Sequence, residues 1–267
     1  MKIPRSVRNG SHWYRSDGSP CHQVKMVSRP SEMRPTTLAD ARKMDLLPSV
    51  TNVLTIKGSA SLVRWQLNEL ANVCYSNRPD NGEPPVSYSK RVIALSHEKR
   101  DDAAVSGSAI HAGVENRYLG RPCAPEVSEH VNAIIKALST EGFQMIETET
   151  VVTNRRGFAG TMDLAGTIDG KNVVADIKTK TTSPDKSIFV APDYALQLAA
   201  YGNSFEPFNY RPRRYGDFEA FNIIVSRNEV GRVEIVRYTE NEMHEAYDCF
   251  LNLLEAWKYF NGYDASF

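Results

Sequence analysis

No stretch of this sequence approaches the roughly 18 to 20 consecutive apolar residues that a membrane-spanning helix needs, so no span and no membrane partner are expected. An excess of one charge is missing too. The 32 basic residues are matched by 32 acidic ones, so the bulk numbers lack the basic footprint that first marks a nucleic-acid binder. Contact with a polyanion must then come from local clusters: Arg155-Arg156, Lys178 to Lys186, and Arg211 with Arg213 and Arg214. Cysteine is scarce. Cys21, Cys74, Cys123 and Cys249 show no CxxC spacing, which argues against a zinc ribbon and gives a disulfide framework no support. Met1 to Gly10 is basic and polar with no apolar run, unlike a secretory signal, so an intracellular protein is expected. Internal repeats and low-complexity tracts are also lacking.

What is present is one large globular pattern. Its 267 residues suffice for a substantial core. Residues 1–45 are rich in Arg, Ser, Pro and Gly without apolar periodicity and read as an irregular arm. From Leu46 the spacing predicts helices: one opened by Ser49 or Thr51, one capped by Ser59, one over 103–119 that stops at Gly120, and one over 127–141. Residues 77–87, with Pro79, Gly82, Pro84 and Pro85, read as a loop. Three strands follow, 145–153, 158–168 and 172–179, with a hairpin signal at Asp169-Gly170. A helix over 193–201, strands 218–226 and 231–238, and a helix over 240–259 complete the order. The expectation is a single α/β domain over 46–267: a mixed central β-sheet flanked by helices, with a helical N-terminal part.

The chemistry concentrates between Gly160 and Lys180. Alternation along a strand sends Asp176, Lys178 and Lys180 to one face and Val173, Ala175 and Ile177 to the other. Counting back from the Asp169-Gly170 turn places Asp163 close to opposite Asp176. Two neighbouring carboxylates on a central sheet repel unless a cation lies between them. Their oxygens suit a hard divalent ion, Mg²⁺ or Mn²⁺. Two further pairs share helix faces at i, i+4 spacing: His111 with Glu115, four residues after Gly107, and Gln197 with Tyr201.

Taken in order, Gly107 to Glu115, Gly160 to Asp163, Asp176 to Lys178 and Gln197 to Tyr201 resemble the RecB-like branch of the PD-(D/E)XK nucleases. The segments Leu47 to Thr51 and Leu62 to Trp65 are similar to phage-encoded exonucleases of that branch, to which the mitochondrial genome maintenance exonuclease is also related. The resemblance spans about residues 46–205. It departs at Ala175, where the name-giving proline is not contiguous with Asp176. It also departs from CRISPR-associated relatives in lacking their C-terminal cysteine trio, since Cys249 alone lies beyond the core, and so no iron–sulfur cluster is expected.

The resemblance implies a restriction-endonuclease-like core and a metal-dependent DNA exonuclease. One or two Mg²⁺ or Mn²⁺ ions would be held by Asp163, Asp176, the Ile177 carbonyl and His111, with Glu115 a weaker ligand. Lys178 would orient or activate the attacking water, supported by Gln197 and Tyr201, while Lys180, Arg155 and Arg156 would meet the DNA backbone. Trp65, Tyr75 and Tyr88 are candidates for base stacking, with core packing the commoner role for Trp65. A phage origin, a bacterial host cytoplasm and a recombination or replication partner protein are consistent with it. An endonuclease of the same fold and a catalytically silent DNA- or partner-binding relative are the alternatives.

Overall fold

The structure, a computed structural model, describes residues 12–29, 31–208 and 217–267. Met1 to Gly10 and the Arg211, Arg213 and Arg214 cluster lie outside the described residues. Two compact units divide the chain: Met1–Ile56 with Asn132–Phe267, and Lys57–Val131.

The first unit begins with short elements: β1 (Trp13–Tyr14), β2 (Gln23–Lys25), β3 (Met33–Pro35), α1 (Leu38–Met44), β4 (Leu47–Pro48) and α2 (Val50–Leu54). The stretch expected to be an irregular arm is therefore ordered where described. Strands of two or three residues are too short for a period to register, which hid them from the sequence. Trp13 and Tyr14 are buried, and β1 pairs with β4. Thr37 and Asp40 form a reciprocal cap on α1, and Ser49 caps α2 by accepting from the Asn52 N–H.

In the second unit, α3 (Ala60–Ser76) starts at Ser59, whose hydroxyl accepts from the Leu62 N–H. The helix expected over 103–119 is the second half of α4 (Pro85–Tyr118), and the loop ends at Pro84. Charged residues from Lys90 to Asp102 mask any apolar stripe in the first half. A Cβ on Gly113 would meet Val131 Cγ2 at 2.6 Å, so glycine lets the chain after α4 pack closely. Trp65, Leu67, Leu70, Ile93 and His97 line an apolar groove between α3 and α4, and Trp65 is 39% exposed rather than sealed in a core.

The first unit resumes within α5 (Ser128–Thr140) and continues into a five-stranded sheet. Its strands run in order β5 (Gln144–Asn154), β6 (Phe158–Ile168), β7 (Lys171–Lys180), β8 (Glu219–Ser226) and β9 (Val233–Tyr238). Only β7 and β8 are parallel, joined by a crossover that contains α6 (Asp193–Gly202). Asp169 and Gly170 have φ of +49° and +77°, as a tight hairpin turn of matching twist requires. α7 (Glu240–Asn261) is capped by Thr239 and Glu242. Its Phe250 packs edge-on to Phe158 at 4.9 Å, in the same core as α2 and α6. This is the mixed sheet flanked by helices that the sequence predicts. Among the described residues, no helix is long and apolar enough to cross a membrane.

Candidate active site

The site lies where two strands part. The β6–β7 ladder runs from Ile168↔Lys171 to Leu164↔Ala175 and stops there. The next pair in that register is Asp163 and Asp176. Beyond it β6 stays with β5 as far as Phe158, while β7 stays with β8 as far as Lys180. At the fork the Ile177 N–H, released from the ladder, donates to Asp163 Oδ2 at 2.7 Å. A buried amide must find an acceptor, and here that need fixes one carboxylate. Asp163 is 9% and Asp176 2% exposed.

Lys178 enters the fork from the same strand face as Asp176. Its Nζ lies 2.9 Å from Asp176 Oδ1 and 2.7 Å from Oδ2, and it donates to Gln197 Oε1 at 2.9 Å. Gln197 Nε2 in turn donates to the Tyr201 hydroxyl at 2.9 Å, one helical turn along α6. Burial opposes the charge on Lys178, but the Asp176 and Asp163 carboxylates overcome it and hold its pKa above the ordinary lysine range. A raised lysine pKa means that this contribution to stability is present at neutral pH and is lost only in strong alkali, as pH rises through the raised value. Burial likewise pushes the Tyr201 hydroxyl well up. Gly160 explains itself here: a Cβ at that position would meet the Tyr201 ring at 2.5 Å.

Asp176, Lys178, Gln197 and Tyr201 are thus brought together in one hydrogen-bonded set, and Asp163 is held beside it by the Ile177 N–H. Lys180 stands at its margin. Its Nζ donates to the Phe189 carbonyl and lies 5.4 Å from the Phe189 ring and 5.1 Å from the Tyr194 ring. Lys178 is 5.2 Å from that same Tyr194 ring. Arg155 and Arg156 are not brought to the acids. They sit in the β5–β6 turn, where their carbonyls accept from the Phe267 N–H and the Ser266 hydroxyl. Five strand residues, about 16 Å at ~3.3 Å each, separate Phe158 beside that turn from Asp163. His111 and Glu115 are half-buried on α4 in the second unit, one turn apart as their spacing requires. Tyr75 is 77% exposed and has Arg78 over its ring at 5.5 Å, and Tyr88 carries Arg91 at 5.4 Å.

Other groups at the site escaped the sequence reading. Glu149 lies on β5 between the pairs Thr148↔Leu164 and Thr150↔Met162, and so faces Asp163. A Glu149 carboxylate oxygen is within 4.8 Å of one from Asp163. Glu149 also has φ of +49°, which costs a non-glycine residue about 1–3 kcal/mol and collects at functional positions. The signal was available, because counting back from the Asn154–Gly157 turn reaches Glu149 opposite Asp163. Tyr14, from the N-terminal strand, shares a hydrogen bond of 3.0 Å with Thr161 Oγ1, two residues from Asp163. Asn222 on β8 contacts Asp176 directly. Three carboxylates gather here with the Lys178 ammonium, and a donor set of oxygens fits a hard divalent cation.

No protein-family model matches this chain, and neither does any curated protein. Among solved structures, the chain is similar to a candidate exonuclease from Eubacterium rectale, at 16% identity and a TM-score of 0.39, over 60% of this chain and 68% of the other. It is also similar to SSO0001, at 13% identity and a TM-score of 0.29, over 73% of this chain and 87% of the other. At these scores neither likeness bears on function.

Proposed function

We propose that this chain is a metal-dependent deoxyribonuclease that hydrolyses phosphodiester bonds from DNA ends. The observation that supports it best is the fork itself: Asp163 and Asp176 buried side by side, with Lys178 against Asp176 and Glu149 close to Asp163. A module that only binds DNA has no use for several carboxylates held together at a cost in repulsion.

Asp163, Asp176 and the Ile177 carbonyl would hold Mg²⁺ or Mn²⁺. His111 as a further ligand, and Glu115 as a weaker one, follow the Gly107 to Glu115 motif. The bound cation supplies a more acidic water and neutralises charge that grows on the phosphate. Lys178 has three N–H donors. Asp176 and Gln197 orient the ammonium, which then donates to the attacking water or to a phosphate oxygen. Gln197 keeps its side-chain oxygen towards Lys178 because its amide nitrogen is committed to Tyr201. Lys180 is placed for the phosphate backbone, with Tyr194 and Phe189 offering ring faces to a base beside it. Arg155 and Arg156 would meet DNA only farther along the duplex or strand. Action on ends rather than internal bonds follows the family resemblance, as do a phage origin and a recombination or replication partner.

Purified protein should gain thermal stability on addition of Mn²⁺, and Asp176→Ala should abolish both that gain and Mn²⁺-dependent degradation of end-labelled DNA. An Asp176→Ala protein that still cuts at close to the wild-type rate would overturn the assignment. Efficient cutting of covalently closed circles would replace the exonuclease reading with the endonuclease one.

A further inference from the structure

Between its polar ends, Glu219 and Ser226, β8 is apolar but for one residue. In β8, Ala220, Phe221, Ile223, Ile224 and Val225 are all buried, and so is Asn222, at 0% exposure. The parallel ladder sets Asn222 directly beside Asp176. Its Nδ2 donates to Asp176 Oδ2 at 3.1 Å, and its Oδ1 accepts from the Tyr238 hydroxyl at 3.0 Å. Tyr238 belongs to β9, the edge strand, so the chain of contacts runs from the sheet edge to the buried carboxylate. Burial, then the charges of Asp176 and Glu242, push the Tyr238 hydroxyl up to about 12, so it stays protonated and able to donate.

Resting on the nuclease reading above, we infer that Asn222 and Tyr238 are positioning residues that fix the rotation of the Asp176 carboxylate. A carboxylate at the end of one rotatable bond can turn, and each turn redirects the lone pairs left for a cation. Lys178 pulls on both Asp176 oxygens from one side. Asn222 holds Oδ2 from the adjacent strand. An amide, however, is two-faced: turned over, it would set its own oxygen against the carboxylate. In a position without solvent, the Asn222 oxygen needs a donor, and the Tyr238 hydroxyl supplies it. Groups that orient ligands in this way typically matter 10- to 100-fold in metal affinity or activity.

The test is a double-mutant cycle read by Mn²⁺ titration calorimetry and by steady-state cleavage of a labelled oligonucleotide. Tyr238→Phe, on the edge strand and one oxygen smaller, is expected to weaken Mn²⁺ binding about 10-fold, the low end of that range, and to lower kcat with KM for DNA unchanged. Asn222→Ser should weaken it about 10- to 100-fold. The double variant should be no worse than Asn222→Ser alone, because Tyr238 acts only through Asn222. A Tyr238→Phe protein with wild-type Mn²⁺ affinity and kcat would overturn the inference, and so would losses that multiply. A wild-type protein that takes up no Mn²⁺ would instead overturn the nuclease reading beneath it.

Discussion

Lys178→Ala is expected to lose about 10²- to 10³-fold in Mn²⁺-dependent DNA cleavage, the usual effect of deleting one preorganised charged donor. The same substitution should act on the metal-free fold. Lys178 is the ammonium held between Asp176 and Gln197, and Asp176 is only 2% exposed. Taking away one partner of a buried ion pair strands the other, at a cost of about 3–5 kcal/mol. Without that ammonium Asp176 keeps the Asn222 amide but loses a charge partner, which favours its neutral form. A raised carboxylate destabilises the fold at neutral pH, and the loss is relieved as pH falls through the raised value. Metal-free Lys178→Ala should therefore gain more thermal stability than the wild type between neutral and mildly acidic pH. Added Mn²⁺ should also narrow the gap between the two proteins. Calorimetric melting at several pH values, with and without Mn²⁺, measures all of this. A variant as active as the wild type, or equally stable at pH 7 without metal, would refute the role given to Lys178.

Gly166→Ala should be the most damaging single-methyl change in the sheet. A Cβ there would lie 2.3 Å from the Gln144 carbonyl oxygen and 2.5 Å from the Phe143 ring. The carbonyl is backbone at the start of β5 and cannot swing aside, unlike the end of a flexible side chain. Overpacking of this kind costs about 3 kcal/mol at its upper range. For a chain of this size that corresponds to a fall of roughly 6–12 °C in melting temperature. A melting temperature within ~2 °C of the wild type would show that β5 can shift freely against β6.

Much of this arrangement is legible in the residues because it is governed by short-range rules. The Asp169-Gly170 turn sets the register of β6 and β7 by itself, and alternation then puts Asp163, Asp176 and Lys178 on one face. Gln197 and Tyr201 follow from helical spacing alone. Asn222 was invisible for the opposite reason. Its neighbours Asp176 and Tyr238 are 46 and 16 residues away, and nothing local marks an asparagine in an apolar run. Tyr14 lies 147 residues from Thr161, within a strand too short to show a pattern. The first half of α4 was missed because a solvated, charged helix carries no apolar stripe to count.

The joining of early and late segments has a consequence for how this protein is made. Trp13 lies against Trp257, and the Tyr263 hydroxyl donates to the carbonyls of Ala41 and Leu46. These contacts cannot form until the segment that carries Trp257 and Tyr263 has left the ribosome. Until then the segment that carries Tyr14 lacks the support of Trp257 and Tyr263, whereas the β5–β7 meander can pair as soon as it emerges. A growing chain therefore holds its acids and its lysine before it holds their surroundings. Translation itself delays the moment at which the candidate centre is complete.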